Sequence, residues 1–156
     1  METSKKHHKT LVLLKPDALQ RGLIGEIISR LEARGLKIVA MKMLHMDEEL
    51  AKRHYEVHKD KPFFQGLVSY ITASPIIAAI LEGENAVRIV RATTGETDPG
   101  LAMPGTIRGD LAMDVARNLI HSSDSEKSAE KEIDIFFSEE EILHYTREIE
   151  RWLTES

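Results

Sequence analysis

The sequence contains no cysteine, few aromatic residues and no long apolar run. Among its 156 residues, Phe, Tyr and Trp together make up 5%. Without cysteine, disulfides, thiolate zinc ligands and thiol nucleophiles are excluded. The longest apolar runs, Leu11–Leu14 and Ile76–Leu81, fall far short of the roughly 20 residues that a membrane-spanning helix requires. We therefore expect a cytoplasmic protein without membrane spans, and the polar N-terminus predicts no secretory signal.

Several nucleotide-binding and hydrolase motifs are missing as well. The sequence has no G-x-x-x-x-G-K-[ST] loop, no G-x-G-x-x-G turn and no G-x-S-x-G elbow. His54 and His58 are spaced to share one helix face, but the H-E-x-x-H pattern of a zinc protease is absent. We interpret these two residues as structural histidines.

Length and charge predict one folded domain that does not need nucleic acid. The hydrophobic fraction is 42% and the charged fraction is 30%, which is typical of a globular chain. Lys+Arg 21 against Asp+Glu 26 gives a net charge of −5, without the basic balance that nucleic-acid binding favours. We predict a flexible tail over residues 1–9 and a single domain over residues 10–156.

The order of periodic segments predicts an α/β (α+β) fold. Strands are expected over residues 10–14, 36–46, 76–81 and 118–121. Helices are expected to begin at residues 24, 48, 61 and 84, to span residues 111–117, and to follow the candidate caps Ser123 and Ser138. Ser123-x-x-Glu126 and Ser138-x-x-Glu141 match capping boxes. This order favours a ferredoxin-like βαββαβ sandwich, in which a four-stranded antiparallel sheet is covered by helices.

The segment from Gly95 to Gly109 is rich in glycine and proline, and basic residues accompany it. Long irregular loops in small domains are usually functional. Arg108 lies in this loop, Arg91 precedes it, and Lys15 lies where the first strand ends at Lys15-Pro16. Arginine and lysine bind phosphate, so these residues form a candidate phosphate site, and ordinary surface charge is the alternative.

His121 is a candidate nucleophile. It follows the apolar pair Leu119-Ile120 and stands before a predicted helix N-terminus. Such a terminus attracts anions and disfavours imidazolium, and a neutral imidazole can attack phosphorus. A structural histidine is the alternative that these residues leave open. Phe63 and Phe64 offer a stacking surface for a base, unless both lie in the core.

Residues 118–125, Asn-Leu-Ile-His-Ser-Ser-Asp-Ser, resemble the active-site signature of nucleoside diphosphate kinases. The similarity extends in the same order from about Thr10 to Trp152. The other segments that carry it are Lys15-Pro16-Asp17, Arg21-Gly22-Leu23-Ile24-Gly25, His54-Tyr55, Lys61-Pro62-Phe63-Phe64, Gly95-Glu96-Thr97-Asp98-Pro99 and Pro104-Gly105-Thr106-Ile107-Arg108-Gly109-Asp110.

The resemblance implies a Mg²⁺-dependent ping-pong reaction. His121 would take the γ-phosphoryl group of a nucleoside triphosphate such as ATP and pass it to a nucleoside diphosphate. Tyr55 and Glu132 would support His121, and Ser123 would lie within reach of Glu132. The nucleotide would be bound by Lys15, Phe63, Arg91, Thr97, Arg108, Val115 and Asn118. Mg²⁺ would be held by substrate phosphates, without a protein metal cage.

The family resemblance also implies that the chain assembles into an oligomer. Leu101-Ala102-Met103 would face a neighbouring subunit of a homo-oligomer, for which we favour a hexamer over a tetramer. Ser122 departs from the family pattern, where glycine is common. The alternative function is a catalytically inactive, ferredoxin-like nucleotide-binding regulatory module.

Overall fold

The computed structural model describes residues 7–155 and shows one four-stranded sheet with helices on both faces. The strands are β1 (His7–Leu14), β2 (Lys37–Leu44), β3 (Ile76–Glu84) and β4 (Ile120–Ser122). The helices are α1 (Pro16–Gln20), α2 (Ile24–Ala33), α3 (Glu48–His54), α4 (Phe64–Ile71), α5 (Ala86–Thr94), α6 (Ile107–Leu111), α7 (Glu126–Phe136) and α8 (Glu150–Leu153). Within residues 7–155, no helix has the length and apolar character to cross a membrane.

The sheet has the strand order β2-β3-β1-β4, and every neighbouring pair is antiparallel. This confirms the predicted ferredoxin-like arrangement. The central strand β1 places Leu13 opposite Ala78 of β3 on one side and His121 of β4 on the other. The short edge strand that carries His121 is therefore held directly against the most buried strand of the protein.

Alternation along β1 divides the interior into two cores. Leu11 and Leu13 face one core, which α3, α4 and α7 cover. Val12 and Leu14 face the other core, against α2 and α5. Successive side chains of a strand point to opposite faces, so an unbroken apolar strand requires helices on both. The short α1 begins with Pro16, whose fixed φ suits a first helical turn.

The first strand is longer than predicted. β1 begins at His7, so the expectation of a tail over residues 7–9 is wrong. His7 pairs with Glu84 in the sheet, and the His8 ring accepts a hydrogen bond from the backbone N–H of Val87 at 3.1 Å. Ladder hydrogen bonds order this polar end of the strand although it contributes little to the core. The rest of the predicted tail lies outside the described residues.

The helix predicted over residues 111–117 is also wrong. α6 begins earlier, because the Thr106 side chain caps it by accepting from the N–H of Gly109 at 2.9 Å. After α6 the chain makes a turn, and Asp114 and Arg117 form an isolated antiparallel bridge. The cap at Thr106 thus places the helix inside the Gly/Pro-rich loop, four residues before the predicted start.

The two predicted capping boxes differ in outcome. Ser125, not Ser123, caps α7 by accepting from the N–H of Ser128 at 3.0 Å. The Ser123 hydroxyl instead donates to Glu132. The box of Ser138 and Glu141 is present, but it starts a 3₁₀ turn over Glu139–Glu141 and no longer helix. A sequence pattern for a cap does not decide between neighbouring serines, because tertiary partners compete for the hydroxyl.

Two glycines allow the loop over residues 95–109 to fold tightly onto itself. Gly95 has a φ of +91°, and a Cβ there would lie 2.5 Å from the Thr106 hydroxyl oxygen. A Cβ on Gly109 would lie 2.1 Å from the carbonyl oxygen of Met103. Any larger residue would push the two ends of the loop apart, and with them the candidate phosphate-binding side chains.

Glu82 of β3 is surrounded by basic side chains. Its carboxylate lies 3.2 Å from a nitrogen of each of His7, Lys9 and Lys37. Burial acts to raise the pKa of Glu82, but the hydrogen bonds from these residues outweigh it and hold the pKa at about 2. Because this value lies below the ordinary 4.5, the stabilisation exists above pH 4.5 and is lost as the pH falls toward 2.

We expect Glu82→Gln to lower the free energy of unfolding at neutral pH by about 1 kcal/mol, because the basic side chains lose their shared partner. The difference from the wild type should shrink as the pH falls from 4.5 toward 2. Urea unfolding over a series of pH values measures it, with Glu84→Gln on the same strand as the control. A difference that stays constant across this range would contradict the ion-pair account.

Candidate active site

His121 lies on β4 with one ring nitrogen engaged and the other available. Its Nε2 is 2.7 Å from Oε1 of Glu132 on α7. An ionised carboxylate can only accept a hydrogen bond, so Nε2 must carry the proton. In a neutral ring the lone pair is then on Nδ1. The contact with Glu132 therefore selects the tautomer in which Nδ1 carries the free lone pair.

Glu132 is kept ionised by its two hydrogen-bond donors. Burial acts to raise its pKa, but the hydrogen bonds from His121 and Ser123 lower it below the ordinary value. Each carboxylate oxygen has its own partner, Oε1 with His121 and Oε2 with the Ser123 hydroxyl. The structure thus brings His121, Glu132 and Ser123 together, as the resemblance implies.

A second imidazole packs against His121. The ring of His54, at the end of α3, lies with its centroid 4.7 Å from that of His121 and perpendicular to it. Burial, followed by the nearby His121, lowers the pKa of His54 to about 3, so this ring is neutral. The Tyr55 ring is 4.6 Å from that of His54, and burial raises the pKa of the Tyr55 hydroxyl to about 12.

Arg108 is a buried cation that binds the backbone around the site. Its guanidinium donates to the carbonyl oxygens of Asn118 at 3.2 Å, Gly95 at 3.0 Å and Ile120 at 2.5 Å. Burial, and then repulsion from Arg91, lowers the pKa of Arg108 to about 10. Arg108 therefore joins the Gly/Pro-rich loop to β4, while it stays charged at neutral pH.

Lys15 and Asn118 are joined at the end of β1. The Lys15 ammonium donates to Oδ1 of Asn118, and the Asn118 amide donates to the carbonyl of Thr97 at 2.9 Å. Burial lowers the pKa of Lys15 to about 8, and Asp17 partly opposes this effect. The chain of contacts fixes a cationic and an amide group next to the loop.

Arg91 and Thr97 line a cleft of about 710 Å³ between α5, the loop and the start of α7. Its walls also carry Arg88, Asp124 and Glu126. The volume lies in the range of about 300–1,000 Å³ that is usual for small-molecule sites. A separate cleft of about 810 Å³ beside α3 is lined by charged side chains and Phe64, and it contains none of the predicted site residues.

Phe63 and Val115 are apolar side chains that remain open to solvent. Phe63 is 51% exposed and Val115 is 52% exposed, whereas Phe64 packs partly against the core. The alternative in which both phenylalanines are buried is therefore wrong. The ring of His58 lies 5.5 Å from that of Phe63 by centroids. An exposed ring offers a face on which a planar base can stack.

The contacts of Asp17 that stabilise the turn before β4 were not predicted from the sequence. Asp17 accepts a hydrogen bond from the backbone N–H of Leu119 at 2.9 Å, and it also accepts from the Tyr70 hydroxyl. Leu119 has a φ of +75°, which a leucine rarely adopts and which costs roughly 1–3 kcal/mol. Asp17 thus stabilises a strained turn two residues before His121. Asp17 belongs to the Lys15-Pro16-Asp17 motif, but no residue near it in the sequence indicates that its partner is Leu119.

One set of three side chains with metal-binding chemistry comes together within residues 7–155. Ligating atoms of His54, His121 and Glu132 lie within 4.8 Å of one another. His58, which shares the helical spacing with His54, does not belong to this set. The site as a whole combines the His121 imidazole with Lys15, Arg91 and Arg108, an arrangement suited to binding and attacking phosphate.

Comparison with known proteins identifies similar chains over nearly the full length. A nucleoside diphosphate kinase family model matches residues 8–142. The nucleoside diphosphate kinase of Archaeoglobus fulgidus is 54% identical over 147 residues, which cover 94% of this chain and 97% of the relative. That of Pyrococcus horikoshii is 56% identical over 142 residues, covering 89% of this chain and 90% of the relative.

Solved structures agree with the sequence relatives. A halophilic nucleoside diphosphate kinase from Halobacterium salinarum in complex with CDP has a TM-score of 0.93 and 49% identity, and the match covers 96% of this chain and 100% of that one. A transition-state mimic of the Borrelia burgdorferi enzyme with vanadate and ADP has a TM-score of 0.88 and 39% identity, and the match covers 95% and 98%.

We expect Arg108→Lys to lower the free energy of unfolding by about 2–4 kcal/mol, because an ammonium cannot replace a guanidinium at three separate carbonyl groups. Arg91→Lys is the control, since the exposed Arg91 side chain makes no hydrogen bond to another residue of the described range. It should change stability by less than about 0.5 kcal/mol. Equal losses in the two variants, measured by urea unfolding, would show that Arg108 is not a structural element.

Proposed function

This chain belongs to the nucleoside diphosphate kinase family and is a phosphotransferase, and we propose that Nδ1 of His121 carries its phosphoryl group. The hydrogen bond from Nε2 of His121 to Glu132 is the observation that supports this proposal. It leaves the Nδ1 lone pair free to attack, while Glu132 stabilises the positive charge that the ring acquires. Relatives that are more than 50% identical carry the kinase name, so an inactive regulatory module is not favoured.

The reaction would proceed in two displacements at one site. The Nδ1 lone pair attacks the γ-phosphorus of a nucleoside triphosphate, the bond from this phosphorus to the β–γ bridging oxygen breaks, and the nucleoside diphosphate leaves. A terminal phosphate oxygen of a second nucleoside diphosphate then attacks the phosphohistidine, and the N–P bond breaks. Ping-pong kinetics follow, because the first product leaves before the acceptor binds.

The cations of the site would bind the phosphates and the sugar. Arg108 uses three of its five N–H groups on backbone carbonyls, so two remain for phosphate oxygens. Arg91 and Thr97 line the neighbouring cleft and can reach the same group. Lys15 and Asn118, already joined to each other, would bind the sugar hydroxyls. Positioned charge is the main requirement of phosphoryl transfer.

The base would stack between Phe63 and Val115. Both side chains are about half-exposed, so they can pack against the faces of a base without hydrogen bonding to its polar edge. One of the structural neighbours is a complex with CDP and another is a complex with ADP, which supports tolerance of different bases. Tyr55, which packs beside His54, would support His121 from the α3 side.

We propose that the required divalent cation is Mg²⁺. The phosphate-binding residues are cationic, so phosphate oxygens and water fit its preference for hard oxygen ligands. When bound, it would neutralise charge on the phosphates. We also propose a cytoplasmic homo-oligomer, with a hexamer favoured over a tetramer. Leu101 and Met103 are exposed in the Gly/Pro-rich loop and would lie against a neighbouring subunit.

Incubation with γ-labelled ATP and Mg²⁺ should label the wild-type protein on His121. The label should survive alkali, be lost in acid and move to added GDP, since a phosphoramidate bond is acid-labile. His121→Gln should abolish labelling, and His144→Gln, at an exposed position outside the site, should leave it intact. Undiminished labelling of His121→Gln would refute the assignment of the nucleophile.

We expect Phe63→Ala to raise the KM of every nucleoside diphosphate by about tenfold, because stacking is lost for all bases alike. Val57→Ala removes another exposed apolar side chain of the same region and serves as the control. Steady-state kinetics with ADP, GDP, CDP and UDP provide the comparison. A loss confined to one base would mean that Phe63 takes part in edge recognition.

A further inference from the structure

His54 is the one member of the histidine pair that lies inside the site, and the phosphoryl transfer gives it no role. Its ring is surrounded by Tyr55, His121 and Phe136, with centroid distances of 4.6, 4.7 and 5.4 Å. Its Nδ1 is buried and has no hydrogen-bond partner among residues 7–155. A phenylalanine would fill this space without an unsatisfied nitrogen, so packing alone does not account for an imidazole here.

The nitrogen atoms of His54 belong to a group with ligand chemistry. One atom from each of His54, His121 and Glu132 lies within 4.8 Å of the other two, and Nε2 of His121 is only 2.7 Å from Oε1 of Glu132. Around a tetrahedral zinc ion with bonds of about 2.0–2.2 Å, ligating atoms are about 3.3–3.6 Å apart. Side-chain rotations that bring the atoms of the group closer together, and that open the contact between His121 and Glu132, by about 1 Å each would arrange the group around one ion.

The donor set favours a transition metal over the cation of the reaction. Two imidazoles and one glutamate with an open fourth position are a common set for Zn²⁺. Mg²⁺ prefers hard oxygen ligands, and imidazole suits zinc, copper and nickel. The same side chains therefore discriminate against the ion that accompanies the nucleotide. A cation at this position would also lie beside the carboxylate of Glu132, which is kept ionised.

We propose that His54, His121 and Glu132 bind one Zn²⁺ ion in the nucleotide-free protein, and that the ion switches off the phosphoryl transfer. If Zn²⁺ takes Nδ1 of His121, the nucleophilic lone pair is occupied. If it takes Nε2, the Nε2 proton is displaced and the neutral ring carries its proton on Nδ1. In both arrangements the Nδ1 lone pair of His121 is no longer free to attack phosphorus. In both, Glu132 binds the ion and gives up its hydrogen bond to His121. The inhibition, though not the binding, rests on the proposed function.

Zinc binding to the nucleotide-free full chain tests the site without relying on activity. Equilibrium dialysis with Zn²⁺ should show one tight site per chain, and Co²⁺ should give the visible absorption of a tetrahedral site. His54→Asn should weaken Zn²⁺ binding about tenfold or more, as loss of a ligand requires. His144→Asn removes an exposed histidine outside the group and should bind Zn²⁺ as the wild type does.

Two further measurements distinguish loss of the zinc site from misfolding of a variant. His54→Gln repeats the test with a different side chain if His54→Asn does not fold, and the Co²⁺ spectrum needs only the wild type. Absence of a tight site in the wild type, or equal binding by a folded His54 variant and the wild type, would overturn the proposal. A Zn²⁺-loaded protein that still takes label from ATP at the full rate would overturn the inhibition.

The zinc proposal and the proposed function fail in different ways. If the metal-free protein takes no label from ATP, the phosphohistidine mechanism is wrong, but the dialysis result still decides the zinc site. If labelling is normal without Zn²⁺ and stops when Zn²⁺ is added, removal of the ion by a chelator should restore labelling. The Zn²⁺ concentration that inhibits His54→Asn should exceed that for the wild type by the same factor as the loss of Zn²⁺ affinity in dialysis.

Discussion

The hydrogen bond between His121 and Glu132 sets the chemistry of the site, and much of the surrounding structure serves to hold it. It selects the tautomer that leaves Nδ1 free, and it needs Glu132 to be ionised although it is partly buried. The donation from Ser123 provides the second partner that makes this possible. β4 supplies His121 and α7 supplies Glu132, and both pack against the central strand β1. The sheet and the helix therefore hold the two partners of this one hydrogen bond in place.

Buried cations form the second constraint. Lys15 and Arg108 are placed where burial lowers their pKa values, so the protein keeps them charged at a cost in solvation. For Arg108, hydrogen bonds to three backbone carbonyls offset part of this loss of solvation. The same hydrogen bonds hold the Gly/Pro-rich loop against β4. An anion bound at these cations would relieve the remaining cost. The cations that hold this region together are thus the ones proposed to bind phosphate, within a chain of net charge −5.

Much of the fold could be predicted because local signals and burial agree. The Lys15-Pro16 junction ends β1, and the helical spacing from Ile24 matches α2. Predictions failed where tertiary partners compete with local pattern. Ser123 matches a capping box, but its hydroxyl is taken by Glu132. The helix expected over residues 111–117 lies earlier because the chain is anchored by Thr106.

Short motifs and hydrophobic period were enough to predict the family, the four-stranded antiparallel sheet and the residue types of the candidate site. Which atoms come into contact follows from tertiary packing alone. It gave His121 its tautomer, placed the neutral ring of His54 against it and left Phe63 open to solvent. It also showed Asp17 holding the strained backbone of Leu119. These contacts join residues far apart in the chain, and their distances and burial arise only when the sheet and helices pack together.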